Sequence, residues 1–386
     1  MSIIEGGYHG YHGRRPISPL SVSNAQVDDD ALYEQMKQLA LCYTYPGLIR
    51  AKKTLITAGQ LGTNSACSII NPGALYKDNE FHLLCRGESN DAVWYGDFLA
   101  HQGTPFWCIL NQDLTIKESF ALTYPTLPPN SRPEDWRLFE YQGKLYSNHS
   151  VYQLLDSQKW IIRSRPGISQ IDLQNKTINL RCLLEPPFEA FNEEKNWSFF
   201  VHEGSLMCLY SFQPYIILEI DLERGTTKKV LESELNYQWY DKGKFIGNSS
   251  NMVSWDQDHY ILFIHDFLDP KQEPRNRTYL QYGTLISKKT LLPTSIIPRP
   301  LQMGGDEKGR HPGVHYTSAT VNQEDGLYAF YGQGDSHIGM MIFNKDSLNG
   351  LFNEYQLKKG NFTIPAYARK SLNWLWNGIK SLIKLM

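Results

Sequence analysis

The 386-residue sequence contains no run of about 18 apolar residues, so it predicts no membrane-spanning helix. Its first residues, MSIIEGGYHGYHGRRP, lack the apolar core of a secretory signal, and no signal peptide is expected. The sequence also lacks a surplus of either charge. Its net charge is −2, whereas general nucleic-acid binders usually carry a basic excess. These absences predict a cytoplasmic protein that does not bind nucleic acid.

Cysteine patterning is equally uninformative about metals and disulfides. The six cysteines show no Cys-x-x-Cys spacing, and most stand in apolar runs. Neither a zinc site nor a disulfide framework is predicted, and we interpret the cysteines as reduced core residues. No cluster of His, Cys and carboxylate residues indicates a metal ligand set, so no metal and no organic cofactor is expected.

What the sequence does contain is a repeated β pattern rich in aromatic residues, which make up 13% of the chain. Pairs of apolar strands joined by short turns, such as Lys77–Glu80 and Gln142-Gly143, recur roughly every 50–60 residues without a long helical pattern between them. This spacing predicts an all-β fold, a five-bladed β-propeller over residues 55–360. A two-sheet sandwich or a β-helix is the alternative architecture.

Both ends of the chain differ from this pattern. Residues 1–54 predict a loose arm followed by a short helix, because three aspartates at 28–30 precede apolar residues at helical spacing. Residues 361–386 predict an amphipathic helix flanked by lysines. That helix either packs on its own domain or makes peripheral membrane contact through residues 366–386. The oligomeric state is not indicated.

The stretch PEDWR, residues 133–137, places two acids beside a tryptophan and an arginine just before an alternating hydrophobic segment. We interpret it as a loop leading into a β-hairpin. Two explanations of its charges stay open. Glu134 and Asp135 either form salt bridges with Arg132 or Arg137 on a solvated loop, or they belong to a functional site.

Comparable polar groups stand at strand ends once in each repeat. Each of these groups alone is weak evidence, but a propeller builds its site from the loops of several blades, so scattered polar groups are what such a site requires. Besides PEDWR, the segments are Asn71–Ala74 with Leu83–Glu88, Glu194–Trp197, Phe263–Asp266 and Tyr331–Asp335.

These segments resemble motifs of glycoside hydrolase family 130, the five-bladed propellers that include mannoside phosphorylases and mannosidases. The resemblance rests on NPGALYKDNEFHLLCRGE, PEDWRLFEYQGKLYSNHSVY, EKNWSFFVHEGSLMCLYSFQP and DGLYAFYGQGDSHIGMMIF, which occur in the family's order over about residues 64–346. The chain departs from the pattern at Trp136, where the family has proline, and a proline would restrict the backbone of Asp135.

The resemblance implies that Asp135 is the general acid and that Asn71, Arg86, Lys195 and Asp335 bind the sugar. Such an acid needs a raised pKa to hold its proton at neutral pH. In the family the proton passes through a sugar hydroxyl, and attack comes from the opposite face with inversion of configuration.

Phosphorylases of this kind use inorganic phosphate as the nucleophile and co-substrate, which calls for clustered cations. The candidates for phosphate binding are Arg163, Arg165 and His265, together with Lys195. We therefore expect a carbohydrate-active enzyme that acts on β-mannosides or related hexosides by phosphorolysis or glycosyl transfer, with an oligosaccharide or sugar phosphate as ligand. The alternatives are a non-catalytic glycan-binding propeller and a glycosyltransferase that depends on a nucleotide sugar.

Overall fold

The computed structural model describes residues 37, 40–61, 67–89, 103–156, 161–235, 246–268, 277–305, 309–357 and 362–363. Of the helix expected after residue 30, the structure describes only Lys37, which is helical. A separate one-turn helix, α1 (Leu41–Thr44), begins after the extended residue Ala40. The C-terminal helix expected over 361–386 lies outside the described residues, apart from a short strand at 362–363. Among the described residues there is no helix long and apolar enough to cross a membrane.

The fold is a five-bladed β-propeller, as the sequence predicted. Five antiparallel sheets follow one another along the chain, and the innermost strand of each blade lies near that of the next. Two-residue turns with left-handed backbone angles connect several neighbouring strands. Asp78 and Asn79 (φ 53° and 64°) and Gln142 and Gly143 (φ 50° and 72°) form two of these turns. Such turns match the right-handed twist of the flanking strands, which is why these turn sequences predicted hairpins correctly.

The strands are numbered in chain order, beginning with β1 (Ile49–Ile56). Blade 1 consists of β2 (Cys67–Lys77), β3 (Glu80–Ser89), β4 (Thr104–Leu110) and β5 (Ile116–Ala121). Blade 2 consists of β6 (Ser131–Tyr141), β7 (Lys144–Asp156), β8 (Ile161–Asp172) and β9 (Thr177–Leu183). Blade 3 consists of β10 (Ser198–His202), β11 (Ser205–Phe212), β12 (Tyr215–Asp221) and β13 (Thr226–Leu235).

Blade 4 has an interrupted inner strand, in two pieces. Its strands are β14 (Gly247–Asn248), β15 (Val253–Ser254), β16 (His259–Leu268), β17 (Thr278–Ser287), β18 (Pro293–Ile296) and β19 (Gln302–Met303). Blade 5 consists of β20 (His315–Gln323), β21 (Gly326–Gln333) and β22 (His337–Phe343). Helix α2 (Lys345–Glu354) follows it, and β23 (Phe362–Thr363) pairs with the outer edge of blade 3.

The ring is closed by the N-terminal strand. β1 pairs antiparallel with β22 and so forms the outer strand of blade 5, although it precedes blade 1 in the sequence. The pairing of β1 with blade 5 starts at Ile49, and β23 pairs with blade 3 at residues 362–363. Joining the first strand to the last blade covers an edge that would otherwise expose unpaired backbone groups.

The hydrophobic core is divided into five clusters, one between each pair of neighbouring blades, over the part of the chain that the structure describes. Between blades 1 and 2, Trp107 packs with Trp136, and both are fully buried. Between blades 2 and 3, Phe139 stacks on Phe199 with ring centroids 5.7 Å apart. Cys85, Cys108 and Cys208 are buried and unpaired, in agreement with their interpretation as reduced core residues.

The stretch 133–137 lies within strand β6 and does not form the loop that the sequence analysis expected. Glu134 pairs with Ser150 and Arg137 with Asn148, so two residues, Asp135 and Trp136, stand opposite the single His149. This is a β-bulge, and Asp135 adopts the left-handed conformation with φ 58°. The bulge lets a charged residue and a fully buried tryptophan follow each other in one strand.

A glycine makes the contact between blades 1 and 2 possible. A methyl group on Gly73 would lie 2.7 Å from the carbonyl oxygen of Trp136 and 2.8 Å from the backbone nitrogen of Leu138, neither of which can move alone. We expect Gly73→Ala to lower the free energy of unfolding by about 1–3 kcal/mol or more, measured by urea titration. As a control, Gly350→Ala in α2 meets no atom within 4 Å and should stabilise the protein by roughly 0.5–1 kcal/mol. An unchanged stability in Gly73→Ala would contradict the close approach.

Candidate active site

One polar pocket lies at the channel end of the propeller, and all five blades contribute to its lining. Five of the residues singled out from the sequence line it together, although they are up to 264 residues apart. They are Asn71, Arg86, Asp135, Lys195 and Asp335. His265 lines the same pocket, as do residues that the sequence analysis did not select, namely Ile70, Glu88, Asn196, Tyr279, Arg310, His311, Val314 and Tyr316.

The guanidinium of Arg86 is the charged centre of one side of the pocket. It lies on β3, is 5% exposed, and forms ion pairs with Glu88, with Glu134 at 3.0 Å and with Asp135 at 3.2 Å. Glu134 also pairs with Arg132 at 2.5 Å. Buried charges persist only when they are paired and hydrogen-bonded, and here each group has a partner of opposite sign. Glu134 thus forms the ion pair with Arg132 that the first explanation of PEDWR expected, but in a buried strand and not on a solvated loop, whereas Asp135 lines the pocket.

Asn71 and Asp135 are presented to the pocket by equivalent bulges in neighbouring blades. In β2, Asn71 and Pro72 stand opposite the single residue Cys85, as Asp135 and Trp136 stand opposite His149 in β6. Asn71 has φ 45°, and its Nδ2 donates to Asp135 Oδ1 at 2.7 Å. Asn and Asp are the non-glycine residues that best tolerate this backbone region. Asparagine and aspartate at these positions therefore tolerate the left-handed backbone and also supply the polar groups that line the pocket.

Arg310 connects the same cluster to blade 5. Its Nη2 donates to Glu88 Oε2 at 3.0 Å, and its Nε donates to the carbonyl oxygen of Asp335 at 2.8 Å. Asp335 occupies the turn between β21 and β22 with φ 49°. The loop before β20 and this turn are therefore fixed to blade 1 through one arginine.

Lys195 contributes a cation from the segment before blade 3. Its Nζ lies 2.9 Å from Glu193 Oε1 and donates to the hydroxyl of Tyr152 at 3.2 Å. Glu194 is buried on the other side of the strand, where it accepts hydrogen bonds from Tyr210 and the Trp197 indole. Glu193 and Glu194 thus face opposite ways, because adjacent residues in an extended chain point in opposite directions.

A second arginine, Arg137, forms hydrogen bonds with residues that line the pocket. Arg137 is 2% exposed and donates to Asn196 Oδ1 at 3.0 Å, to the Tyr316 hydroxyl at 2.5 Å and to the carbonyl oxygen of Ser249 at 2.7 Å. It thereby joins blades 2, 3, 4 and 5 beneath the pocket. Burial raises the pKa of Tyr316 to about 12, so its hydroxyl keeps its proton at neutral pH.

His265 lies on β16 among aromatic rings. It is 2% exposed, stacks on Tyr279 with centroids 5.7 Å apart, and meets the edge of Tyr316 at 5.2 Å. The Ser249 hydroxyl is 3.1 Å from its Nδ1, which fixes the orientation of the ring. His265, Tyr279 and Tyr316 therefore offer hydrogen-bonding groups from blades 4 and 5.

The two aspartates of the pocket have opposite electrostatic environments. Burial raises the pKa of Asp135, but Arg86, Arg137, the hydrogen bond from Asn71 and Lys195 outweigh burial, so this pKa lies below the ordinary value. Burial and the charge of Glu88 raise the pKa of Asp335 to about 7, and Arg310 and Arg86 offset only part of that shift. A lowered pKa does not suit the proton donor that Asp135 was expected to be, whereas a raised pKa suits one.

Arg163 and Arg165, the other phosphate-binding candidates, do not line this pocket. Arg165 is buried and donates to Glu185 Oε2 at 2.6 Å and to the carbonyl oxygens of Ser164 and Phe191 at 2.8 Å. Arg163 lies 3.7 Å from Glu185 and donates to Gln153. Arg165 thus anchors the segment that leads to Lys195, and neither arginine enters the anion site proposed below.

Arg310, Glu88, Asn196, Tyr279 and Tyr316 were not selected from the sequence. Glu88 and Asn196 lie in segments that the sequence analysis selected for the neighbouring residues Arg86 and Lys195. The segments were therefore identified, but these two residues were not assigned to the pocket. Arg310 stands in the polar turn GRHPG between two blades, and an arginine in a turn resembles any solvated loop residue. Tyr279 and Tyr316 follow the aromatic alternation that is typical of core strands, so the sequence pattern does not distinguish them from core residues.

Comparison with known proteins finds fold likeness only in solved structures. No family model and no curated protein matches the sequence. The β-1,2-mannobiose phosphorylase of Listeria innocua has 12% identity and a TM-score of 0.55, over 78% of this chain and 97% of that one. A mannose phosphorylase of Leishmania mexicana, solved with a phosphate ion, has 11% identity and a TM-score of 0.55, over 86% and 99%. A GDP-mannose-dependent mannosyltransferase of Leishmania mexicana has 12% identity and a TM-score of 0.53, over 82% and 94%. At these identities the likeness shows a shared propeller fold.

The contribution of Arg86 to the folded state can be measured as a change in the free energy of unfolding. Replacing it in Arg86→Gln leaves Glu88, Glu134 and Asp135 without their common cation, and we expect a loss of about 3–5 kcal/mol at pH 7 by urea titration. Burial raises the pKa of Glu88, but Arg86 and Arg310 outweigh burial and lower it below the ordinary 4.5. Its contribution is therefore present above pH 4.5 and is lost as pH falls through the lower folded value.

The difference in stability between the wild-type protein and Arg86→Gln should consequently narrow on acidification. Lys77→Met serves as the control, because Lys77 forms an exposed pair with Glu140 and its loss should cost about 0–1 kcal/mol. A small loss in Arg86→Gln that is independent of pH would show that the network does not stabilise the folded state.

Proposed function

We propose that this protein is a carbohydrate-active enzyme that transfers a hexosyl group between phosphate and a sugar hydroxyl with inversion, and that mannose is the first sugar to test. The observation that carries the proposal is the composition of the single pocket described above. It combines two carboxyl groups, Asp135 and Asp335, with the cations Lys195 and Arg310. Transfer to an anion needs groups that move or hold protons and groups that attract the anion, and this pocket offers both.

The similar structures support the choice of substrate class. Two of them are named as phosphorylases of mannobiose and of mannose, one solved with its disaccharide and the other with phosphate, and a third is named as a mannosyltransferase. Fold alone does not imply function, so the proposal depends on the residues in the pocket. The pocket is about 140 Å³, small beside the ~300–1,000 Å³ of drug-sized sites, which favours a small polar ligand such as a sugar ring.

The sugar ring would be held on the side of blades 1 and 2. Asn71 Oδ1 is buried and accepts no hydrogen bond from the described residues, so it is available to a sugar hydroxyl. Arg86 and the ionised Asp135 are fixed by the network around them and need no rearrangement on binding. Rigid, pre-oriented polar groups of this kind strengthen binding because little conformational entropy remains to be lost.

The anion would be held on the side of blades 3, 4 and 5. Lys195 supplies a charge, while His265, Tyr279 and Tyr316 supply hydrogen-bonding groups from neighbouring strands. In an inverting reaction the phosphate oxygen bonds to C1 as the bond from C1 to the leaving oxygen breaks, and the leaving oxygen takes a proton from an acid. Asp135 and Asp335 are the acid–base pair available for that step.

The direct test is phosphate release from α-mannose 1-phosphate in the presence of a panel of acceptor sugars. Release that requires an acceptor, together with formation of a new disaccharide, supports the proposal. The anomeric configuration of the product, read by NMR, tests inversion. GDP-mannose is run in parallel, because turnover of that donor alone would replace phosphorolysis by nucleotide-dependent transfer. Binding of mannosides without turnover of either donor would indicate a glycan-binding propeller.

Lys195 provides the sharper prediction about the anion site. Lys195→Met should lower kcat/KM for the sugar phosphate by about 100-fold or more, because a charge-assisted contact to the transferred group is lost. Lys117→Met, which removes an exposed lysine paired with Glu80 on the outer strand of blade 1, should leave kcat/KM unchanged. Arg163→Gln and Arg165→Gln are assayed for kcat/KM in the same way. If Arg163→Gln abolished activity and Lys195→Met did not, the anion site would have to be moved to the sequence-predicted arginines.

A further inference from the structure

A second cavity lies between blades 1 and 2, at the end of the propeller opposite to the candidate active site. Strand β2 has Asn71 at the active-site end and Lys77 at the other, and the six residues between their positions span up to about 20 Å in a strand. The cavity has a volume of about 370 Å³. The turn between β2 and β3, the turn between β6 and β7 and the turn after β8 border it. It is therefore separate from the pocket described above.

Two buried side chains in the wall of this cavity carry nitrogens without a hydrogen-bond partner. They are both ring nitrogens of His82, which is 9% exposed, and the indole nitrogen of Trp107, which is fully buried. No described residue pairs with these three atoms in normal geometry, although the backbone of Lys77 lies close enough to favour the protonated form of His82. The two rings are neighbours, with centroids 5.6 Å apart. Buried polar groups are nearly always paired, so three unpartnered nitrogens beside one cavity indicate a site for a hydrogen-bonding ligand.

The equivalent cavity between blades 2 and 3 shows that this feature is not general to the fold. Asp221 and Leu222 line that cavity where β12 ends, as Asp172 and Leu173 line the first cavity where β8 ends. None of the described residues that line the second of these cavities has a buried polar side-chain atom without a partner. The unpartnered nitrogens therefore distinguish the cavity between blades 1 and 2.

The charges around this cavity disfavour an anionic ligand. Among its lining residues, all of which the structure describes, Lys77 is the one lysine or arginine, and it forms an ion pair with Glu140. Asp78 and Asp172 add two carboxyl groups. Hydrogen bonds from Asn175 lower the pKa of Asp172, so this group is ionised at neutral pH. A phosphate or carboxylate would find no free cation here.

From this arrangement we propose that the cavity is a second binding site, which takes one hexose unit of a neutral oligosaccharide. The proposal goes beyond the proposed function, because it concerns a site at the other end of the propeller and requires no turnover. A sugar ring combines apolar C–H faces with hydroxyl groups. Leu145, Ile171 and Leu173 supply apolar lining for the C–H faces. The volume of the cavity falls within the ~300–1,000 Å³ of small-molecule sites.

The polar lining matches hydroxyl groups in kind. Burial lowers the pKa of His82 more than the backbone of Lys77 raises it, so the imidazole is neutral at neutral pH, with one donor and one acceptor nitrogen. A half-turn of the ring exchanges its nitrogens with its carbons in nearly the same outline, so either edge can be turned toward the cavity. The indole of Trp107 only donates, and the carboxylate of Asp172 only accepts. A hydroxyl serves each of these groups, because it both donates and accepts.

The test follows the indole N–H signal of Trp107 by ¹H–¹⁵N NMR while neutral disaccharides (mannobiose, cellobiose and maltose) are added in turn to the full chain. Trp107→Phe identifies the signal. We expect at least one of them to cause a saturable shift with a Kd of about 1–10 mM, because one sugar ring makes few contacts. α-Mannose 1-phosphate, the anionic probe, should cause no shift at the same concentrations. A shift with the phosphate alone, or no shift with any disaccharide, would overturn the proposal.

Matched substitutions show where the sugar binds. Leu173→Trp fills the cavity and should abolish the saturable shift, whereas Leu222→Trp fills the equivalent cavity between blades 2 and 3 and should leave the shift unchanged. Both leucines are half-buried residues next to turns, so both variants should fold. His82→Phe keeps the ring but removes both nitrogens, and should weaken binding by about 10-fold without lowering the stability of the fold. An unchanged titration in Leu173→Trp and His82→Phe would contradict the site.

The same variants separate this proposal from the proposed function. Leu173 lies outside the candidate active site, so Leu173→Trp should keep the wild-type kcat/KM for the sugar phosphate. If the wild-type protein turns over no donor, the proposed function fails, and the NMR titration still tests the second site. If Leu173→Trp lost turnover together with the shift, the signal would report the active site, and the second site would be overturned.

Discussion

The ion pairs of Arg86 are the interaction on which the pocket depends. This one guanidinium, buried on blade 1, contacts Glu88 in its own strand and Glu134 and Asp135 in blade 2. Glu88 in turn binds Arg310 of blade 5. Three blades that are distant in sequence are therefore joined by charges that each require the others, because a single buried charge without its partner would be far more costly than an apolar residue.

The backbone solves a separate problem, which is how a strand rich in core residues can also present polar side chains to a channel. Asn71 and Asp135 occupy the left-handed position of matched bulges, Asn196 precedes β10 with φ 59°, and Asp335 occupies a turn with φ 49°. Such conformations cost energy in most residues and persist only where the surroundings fix them. Their concentration around one pocket, in four of the five blades, agrees with a site shaped for ligand binding.

The same arrangement brings acidic and basic side chains from all five blades into one pocket. On the side of blades 1, 2 and 5, Glu88, Glu134 and Asp135 are each paired with an arginine. Lys195 before blade 3, together with His265, Tyr279 and Tyr316 of blades 4 and 5, lines the same pocket. Propellers of similar fold are named as phosphorylases and as a GDP-mannose-dependent mannosyltransferase.

The sequence by itself determined the architecture, because strand alternation, turn residues such as Asp78-Asn79 and the repeat spacing are local signals that tertiary contacts did not override. It also indicated Asn71, Arg86, Asp135, Lys195 and Asp335, since short motifs preserve order and context. Tertiary structure alone decided that PEDWR is a bulged strand, that Arg163 and Arg165 lie outside the pocket while Arg310 lines it, and that the ring closes through β1. It also decided that burial and Glu88 raise the pKa of Asp335 while Arg86 and its neighbours lower the pKa of Asp135. These environments depend on distances between residues far apart in the chain, which are not encoded in any local pattern.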